Sequence, residues 1–439
     1  MKKSIFFAIL LAVLLFFAGC APQTDITDGL LRELIQKSEA YTQSMANGDF
    51  EAVAADVAPS ASAQLNAEKL KQAWEDTTAP IGSFEMISAT GAFVRDGLPV
   101  VSVNCNFTVR GLDIQYTYDA NGKIAGMWMA YAAKSLTAQS TDDYVELLIS
   151  VGTDRPLEGI LTLPRYIQKP PVVLMIAGSG PQDANETVGT SGNKPFADIA
   201  HGLAQQGVAT LRYNKRTSQY PNEPDHLLDL TIQYEVLNDA ASAVSLLRDS
   251  QWVNPQRIYV LGHSLGGMLA PKIAQDNELA GLISLAGSPR SLLDIISDQN
   301  EAAAMAGQIT PQQLAQAKAL IEKAKNAQQG DTSSLLGATG NYWHSLNQID
   351  TPSIVSSLDI PMLFLQGDAD FQVSPEKDFD AWKDALSGKP NAQFRLYSGL
   401  THLFTPLPPN ASGRTADYDA PQNVDPQVIA DIAAWIKAN

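Results

Sequence analysis

The chain has 439 residues, of which 45% are hydrophobic, and a formal net charge of −17 at pH 7. This length predicts more than one domain. The acidic excess argues against nucleic acid as a partner, because binding a phosphate backbone requires concentrated positive charge.

The first twenty residues have the pattern of an export signal. Two lysines precede an apolar run over residues 4–17, and the small residues Ala18 and Gly19 then precede Cys20. The stretch LLFFAGC resembles the lipobox of bacterial lipoproteins, which predicts lipidation of Cys20 and a membrane anchor on the extracytoplasmic face of the cell envelope. The alternative is ordinary secretory cleavage with an incidental cysteine. Residues 21–28 then form a polar tether.

Residues 29–134 predict a small α+β domain. Apolar positions recur every three or four residues from residue 29 to about residue 71, which is typical of helices, and Asn47-Gly48-Asp49 marks a turn. Strands are expected between residues 84 and 131, with a turn at residues 119–122. Helices followed by antiparallel strands are typical of the α+β class.

Apolar and polar side chains alternate in the strand VVSVNCNFTVR, which places Cys105 in the core as a small hydrophobic residue. With Cys20 lipidated, one cysteine remains, so the chain offers neither a disulfide framework nor a cysteine metal site. The two predicted faces are Val101, Val103, Cys105, Phe107 and Val109 inside and Ser102, Asn104, Asn106, Thr108 and Arg110 outside.

A polar segment, residues 135–143, predicts a linker to a second region over residues 144–439. Strands there alternate with helices of 10–15 residues, which indicates a mostly parallel sheet covered by helices on both faces. The alternation is interrupted over about residues 288–358. That insertion contains a predicted helix with Thr310 as N-cap and Pro311 at its first position, and it is either a lid or a decoration.

A serine framed by glycines lies in VLGHSLGGMLA, directly after a predicted strand and directly before a predicted helix. Gly262 and Gly266 permit a turn sharp enough to expose the hydroxyl of Ser264 above the sheet edge. The following helix aims its unpaired N–H groups at the same point. Ser264 is therefore the candidate nucleophile, and the alternative is a structural glycine-rich turn.

A serine hydroxyl is a poor nucleophile without a base, and the chain has five histidines. His402 follows the last predicted core strand, which brings it to the same sheet edge as Ser264 and makes it the candidate base. We expect His263 to pack beneath the turn. The remaining histidines are His201 in a surface helix, and His226 and His344 in segments that could line a pocket.

The acid of such a triad is expected between the serine and the histidine in sequence. The segment GDADFQV follows a predicted strand and offers Asp370, with Asp368 as the fallback. An aspartate there would fix the histidine tautomer and stabilise the imidazolium that forms during attack. The alternative is that both aspartates are solvated loop residues.

The strand over residues 172–178 delivers GSGPQDANET to the same sheet edge. The backbone N–H of Ser179 or Gly180, together with that of Leu265, is placed to hold a developing oxyanion. A dinucleotide-binding interpretation fails because the GxGxxG spacing is absent. No metal or organic cofactor is predicted.

The segment from about Tyr144 to Asn439 resembles an α/β-hydrolase, and more narrowly the bacterial carboxylesterases that carry a GSGPxDRDET loop and a small N-terminal DUF3887-type domain. The likeness rests on GSGPQDANET, LRYNKRT, GHSLGG, GDADFQV and GLTHLF, in family order. It implies an eight-stranded, mostly parallel sheet with a helical cap, preceded by an NTF2-like or cystatin-like domain. It also implies Ser264 as nucleophile, Asp370 as acid and His402 as base.

This chain departs from the family pattern at two places. Ala184 and Asn185 replace an Arg-Asp pair, and Thr217 stands where glycine is usual. If that pair shapes the pocket through contacts with Lys215 or Arg216, specificity differs from that of relatives.

Three functions fit these motifs. The first is a serine carboxylester hydrolase acting on small to medium acyl esters. The second is acyl transfer or amide hydrolysis with the same triad, which the sequence does not separate from the first. The third is a ligand-binding surface lipoprotein without catalysis, against which the intact triad argues. Aromatic residues of the insertion, Tyr342 and Trp343, could line an acyl pocket or pack the lid.

Overall fold

The computed structural model describes residues 28–221 and 230–439. These residues divide into two compact units. The first comprises the described chain up to Ser135 with Thr190–Gly192, and the second comprises Leu136–Gly189 and Asn193–Asn439. The predicted signal peptide with Cys20, the tether up to residue 27, and His226 lie outside the described residues. Within those residues, the structure has no helix long and apolar enough to cross a membrane.

The first unit consists of three helices and a four-stranded antiparallel sheet in the order β1-β2-β3-β4. The predicted turn after the first helix is confirmed, because Asp49 ends it and accepts the N–H of Ala52 to cap the next helix. The elements are α1 (Asp28–Ala46), α2 (Phe50–Ala54), α3 (Ala67–Thr78), β1 (Phe84–Arg95), β2 (Leu98–Phe107), β3 (Gly111–Tyr118) and β4 (Ile124–Ala132).

Strand β2 follows the predicted alternation, with two exceptions. Cys105 and the apolar residues on its face up to Phe107 are buried, as predicted. Asn106 is buried as well, because its amide exchanges two 3.0 Å hydrogen bonds with the backbone of Ser135, which satisfies the polar group. Val109 is only half-buried, because β2 ends at Phe107 and the chain turns there.

The second unit is built on an eight-stranded sheet in the order β14-β13-β10-β9-β7-β8-β6-β5. The pairings β5–β6 and β6–β8 are antiparallel and the others are parallel, which confirms the predicted mostly parallel sheet. A short hairpin lies outside this sheet. The strands are β5 (Tyr144–Val151), β6 (Leu157–Pro164), β7 (Val172–Ile176), β8 (Ala209–Tyr213), β9 (Ile258–His263), β10 (Gly281–Leu285), the hairpin β11 (Ser334–Leu335) and β12 (Ala338–Thr339), β13 (Met362–Gly367) and β14 (Ala392–Tyr397).

Helices cover both faces of this sheet. Alternate residues of β7 point to opposite faces, so that Leu174 belongs to one apolar cluster and Val173 to another. The described helices of this unit are α4 (Pro195–Gln205), α5 (Arg216–Gln219), α6 (Asn238–Asp249), α7 (Leu265–Asp276), α8 (Leu292–Met305), α9 (Pro311–Lys325), α10 (Gly340–Asn347), α11 (Thr351–Ser357), α12 (Asp380–Ala385) and α13 (Pro426–Ala438).

The insertion between β10 and β13 is mainly helical and contains α8 to α11 with the small hairpin. Helix α9 begins as predicted, with Thr310 and Gln313 forming a capping box and Pro311 in the first turn. Tyr342 and Trp343 are buried in the apolar cluster that this insertion shares with the sheet. These aromatic rings were expected either to line an acyl pocket or to pack the lid, and the structure shows them packed.

Candidate active site

Ser264 lies in the turn between β9 and α7 with φ +54° and ψ −117°, a backbone conformation that is unfavourable for any residue except glycine. The turn is held by hydrogen bonds from the N–H of Ser264 to the carbonyl of Leu285 and from the N–H of Met268 to the carbonyl of Ser264. A side chain at Gly262 would collide with the backbone of Gly266. The glycines therefore permit a close approach, which explains their place around Ser264.

A buried histidine–aspartate pair lies beyond the ends of the neighbouring strands. The Nδ1 of His402, in the loop after β14, is 2.7 Å from the Oδ2 of Asp370, in the loop after β13. The same oxygen accepts the side-chain amide of Gln366, and Oδ1 accepts the N–H groups of Gln372 and Val373. Because both carboxylate oxygens act as acceptors, Nδ1 of His402 is the donor to Asp370, which leaves Nε2 as the ring nitrogen available for base chemistry.

Asp368, the fallback acid, is not the partner of His402. Its side chain is exposed, and its Oδ1 accepts the N–H of Gly399 at 2.6 Å. This hydrogen bond shapes the start of the segment Gly399–Thr405, which we call the histidine loop. Of the two candidates, the structure therefore places Asp370 against His402.

His263 connects the serine turn with the histidine loop. It directly precedes Ser264, is buried as predicted, and its Nε2 lies 2.9 Å from the backbone carbonyl of His402. The two imidazole rings are 4.6 Å apart, centroid to centroid. The backbone of the candidate base is therefore in direct contact with the residue next to the candidate nucleophile.

The segment Gly178–Thr187, which we call the oxyanion loop, reaches the same place. A Cβ built on Gly178 would lie 3.2 Å from the Cβ of Ser264. The carbonyl of Gly178 accepts a hydrogen bond from the Nζ of Lys215 at 3.1 Å. In a trans peptide the N–H points opposite to the preceding carbonyl, so the N–H of Ser179 points away from Lys215. Leu265, the first residue of α7, supplies a second N–H without an intrahelical partner.

Lys215 belongs to a buried polar network that the sequence did not predict. Its Nζ is 3.3 Å from Glu235, and both side chains are 5% exposed. Glu235 also accepts hydrogen bonds from the hydroxyls of Thr217 and Tyr342. The hydrogen bond from Tyr342 joins the insertion to the residues that hold the oxyanion loop. The charged residues of the motif LRYNKRT were the one sequence signal for this network. Their partners are distant in sequence, so a local pattern does not reveal them.

The residues that depart from the family pattern have identifiable surroundings. Asn185 accepts a hydrogen bond from the Nε of Arg212, and Ala184 is buried. Lys215 pairs instead with Glu235, and Arg216 pairs with Asp239. In this chain, Asn185 at the second position of the replaced Arg-Asp pair therefore contacts Arg212.

The other described histidines have structural partners. His201 lies on α4, where its Nε2 is 2.8 Å from Glu146 and its ring stacks on Tyr144. The Nδ1 of His344 is 3.1 Å from the carbonyl of Ala327. Within residues 28–221 and 230–439, the structure brings together no group of three or more histidine, cysteine, aspartate or glutamate side chains that could hold a metal ion.

Two family models match parts of this chain. Residues 38–127 match the family described as "Protein of unknown function (DUF3887)", which confirms the resemblance of the N-terminal region. Residues 191–405 match the family described as "Serine aminopeptidase, S33". The chain is also 30% identical to Esterase EstD of Thermotoga maritima, in an alignment that covers 99% of this chain and 100% of that protein.

Several solved structures are similar to this chain. Est1E of Butyrivibrio proteoclasticus is 18% identical, with a TM-score of 0.42, covering 66% of this chain and 99% of its own. An esterase of Pyrococcus furiosus is 13% identical, with a TM-score of 0.43, covering 70% and 97%. A puromycin-hydrolysing peptidase of Mycobacterium tuberculosis is 14% identical, with a TM-score of 0.43, covering 77% and 45%.

Proposed function

Because this chain belongs to the bacterial α/β-hydrolase esterases, the family of EstD, we propose that it hydrolyses carboxylic esters through an acyl-enzyme formed on Ser264. The family makes the chain a carboxylesterase. The residue roles and the covalent intermediate are our proposal. The observation that carries it is the buried 2.7 Å pair of His402 and Asp370, at the same sheet edge as the strained serine turn.

In the first half-reaction, the Nε2 of His402 takes the hydroxyl proton of Ser264 as Oγ attacks the ester carbonyl carbon. Asp370 holds the imidazolium that forms. The negative charge develops on the carbonyl oxygen, where the N–H groups of Leu265 and of Ser179 or Gly180 would receive it. Collapse of this intermediate breaks the bond to the alcohol oxygen, which leaves with the proton from His402. The acyl group remains on Ser264.

In the second half-reaction, water replaces the alcohol. His402 takes a proton from the water as its oxygen attacks the acyl carbon, and the tetrahedral intermediate again lies against the same N–H groups. Collapse releases the carboxylic acid, and the proton on His402 returns to the oxygen of Ser264. The enzyme ends in its starting protonation state.

The proposed substrates are small to medium acyl esters. Buried packing of Tyr342 and Trp343 supports this proposal, because these large aromatic side chains of the insertion contribute to the core and not to an exposed apolar lid surface. A lid for long-chain lipid substrates would need such a surface.

Amide hydrolysis is the second candidate. The match of residues 191–405 to the family described as a serine aminopeptidase favours it. The same residues could cleave an amide if His402 protonates the leaving amine efficiently, since an amine is a poorer leaving group than an alcohol. Acyl transfer would require an acceptor that competes with water.

Export and lipid anchoring through Cys20 remain a proposal. The lipobox-like stretch LLFFAGC supports it. The test is to compare the full chain with the Cys20→Ala chain expressed in a bacterial host. We expect the first in the membrane fraction and the second in the soluble fraction. Equal distribution of both would contradict the anchor.

The catalytic proposal is tested with residues 21–439, without Cys20 and the residues before it, on p-nitrophenyl esters from acetate to palmitate, beside Ser264→Ala. We expect turnover that the variant loses, with the highest kcat/KM at short or medium chains. Puromycin and aminoacyl anilides measure the amide alternative in parallel. A fluorophosphonate label on Ser264 reports a working nucleophile, and activity retained by Ser264→Ala would refute the proposed mechanism.

A further inference from the structure

A buried glutamate joins the oxyanion loop to the serine turn. The Oε1 of Glu186 accepts the N–H of Gly178 at 2.7 Å and lies 2.9 Å from the Nδ1 of His263. The side chain of Glu186 is 3% exposed and that of His263 is 7% exposed. Glu186 has φ +53°, so the loop accepts an unfavourable backbone conformation at this residue.

The geometry assigns a charge to His263. Its Nε2 faces the carbonyl oxygen of His402, which can only accept, so Nε2 carries a proton. Its Nδ1 faces an oxygen of Glu186 that already accepts the N–H of Gly178, so Nδ1 carries one as well. Two protonated ring nitrogens make an imidazolium, paired with a carboxylate.

The charged surroundings of His263 agree with this assignment. Burial lowers the pKa of His263, but the charge and hydrogen bond of Glu186 act in the opposite direction, as does Asp370, and the net pKa is above the ordinary value. The other titratable group that we find against the ring is His402, whose ring lies 4.6 Å away. The imidazolium is thus held between two carboxylates and the candidate base.

We propose that the ion pair of Glu186 and His263 positions the oxyanion loop against the histidine loop. The inference rests on the proposed function, because it assigns these two side chains a part in placing Ser179 and His402 around Ser264. Neither side chain is assigned contact with the reacting atoms, so both are positioning residues.

The hydrogen bonds of the sheet do not by themselves fix the distance between the oxyanion loop and the histidine loop. The oxyanion loop follows β7 and the histidine loop follows β14, and three strands lie between them in the sheet. The contacts from Gly178 through Glu186 and His263 to the carbonyl of His402 form a direct path across that gap. A misplacement of about 1 Å at such a site lowers the rate about 100-fold.

The substitution Glu186→Gln removes the charge with little change in shape. A neutral His263 carries only one ring proton, so it loses its hydrogen bond either to residue 186 or to the carbonyl of His402. If the amide nitrogen of the new glutamine turned toward His263 instead, that NH₂ group would face the N–H of Gly178, and two donors would meet. Every arrangement breaks one contact of the path.

The experiment measures kcat, KM and the pH profile of kcat for the wild type, Glu186→Gln and the matched control Glu146→Gln. Glu146 is also a buried glutamate near a histidine, 2.8 Å from His201. Among the described residues it has no hydrogen bond of its own to either loop, and its partner Arg212 reaches the oxyanion loop at Asn185 instead of at Gly178. For Glu186→Gln we expect kcat to fall about 10- to 100-fold with KM within about twofold. For Glu146→Gln we expect a lower Tm with unchanged kcat and pH profile.

The pH profile separates positioning from stability. The wild type loses activity on the alkaline side, above the ordinary histidine pKa, as His263 gives up its proton. Glu186→Gln lacks this alkaline loss because its His263 is already neutral. Wild-type kcat in Glu186→Gln, or a reduced kcat with the wild-type alkaline loss, would overturn the inference.

Two further measurements separate a failure of this inference from a failure of the proposed function and from a variant that does not fold. Ser264→Ala, run in parallel, shows whether the proposed function itself fails, since its retained activity would refute that function independently of Glu186. If Glu186→Gln does not fold, the nitrogen chemical shifts of the wild-type imidazole rings decide. We expect both ring nitrogens of His263 to be protonated at neutral pH, and a neutral ring would overturn the inference.

Discussion

The two units bury polar side chains in different ways. In the first unit, hydroxyl groups pair inside the core, with Ser38 2.6 Å from Tyr118 and Thr42 2.9 Å from Tyr116. In the second unit, buried pairs also carry charge. Three of them are Glu146 with Arg212, Lys215 with Glu235, and His263 with Glu186, and in each of these three both side chains are at most 7% exposed.

This difference shows what buried charge does in this molecule. Removing two charges from water costs free energy that a buried pair regains only with good geometry, so such pairs are weak evidence for stability. Two of the three pairs, through Lys215 and Glu186, contact Gly178 of the oxyanion loop. The antiparallel sheet of the first unit packs its helices with apolar and neutral side chains. The second unit uses charge where loops must be held beyond the ends of strands.

The largest effect on kcat is expected at Asp370, in the second unit with its buried charged side chains. Asp370→Asn keeps an acceptor for the N–H groups of Gln372 and Val373 but turns an amide toward the Nδ1 of His402. The histidine then adopts the wrong tautomer, so we expect kcat to fall about 10⁴-fold. Steady-state kinetics and the circular dichroism spectrum check this. A loss below about tenfold in a folded variant would contradict the role of Asp370.

The next largest effect is expected from a comparison of two glycines, Gly178 in the second unit and Gly126 in the first. An added Cβ at Gly178 would lie 3.0 Å from the Oε1 of Glu186 and 3.2 Å from the Cβ of Ser264, which is tight. At Gly126, in β4, the nearest atom would be the Cβ of Thr117 at 3.8 Å, an ordinary contact. We therefore expect Gly178→Ala to lower kcat about 100-fold and Gly126→Ala to leave it unchanged.

Kinetic constants and Tm for both glycine variants check this expectation. Equal kcat values for the two variants, with both folded, would show that the space around Gly178 is not decisive for the chemistry.

The smallest expected effect lies in the first unit. Tyr116→Phe removes a buried hydroxyl that pairs with Thr42, and we expect it to lower the free energy of unfolding by about 1 kcal/mol. Denaturant unfolding measures this change. We expect kcat to stay at the wild-type value, because the pair belongs to a neutral core. A lower kcat at the same folded fraction would contradict our expectation that this unit takes no part in the chemistry.

Much of the fold was predictable because its signals are local. The alternation of strands and helices from Tyr144 onward predicted the mostly parallel sheet, and the sheet has that form. The glycines around Ser264 predicted a sharp turn between a strand and a helix, and the backbone of Ser264 has the expected unusual conformation. Such patterns depend on neighbours within a few residues, so a single sequence contains them.

Other features were not predictable from local pattern. The alternation in β2 placed Asn106 on the outer face, but Ser135 satisfies its amide and allows burial. The sequence offered Asp370 as the acid with Asp368 as the fallback, and the contact of Asp370 with His402 distinguishes the two in the structure.

The sequence by itself determined the order of the elements, the serine turn and the set of residues delivered to one edge of the sheet, because these follow from periodicity, glycine placement and strand direction. The tertiary structure alone decided which buried charges pair. Glu186 is 77 residues from His263, and His263 is 139 residues from His402. Partners so far apart in sequence are chosen by the packing of the sheet. A buried charge is stable only where that packing brings an opposite charge or a hydrogen-bond partner to it.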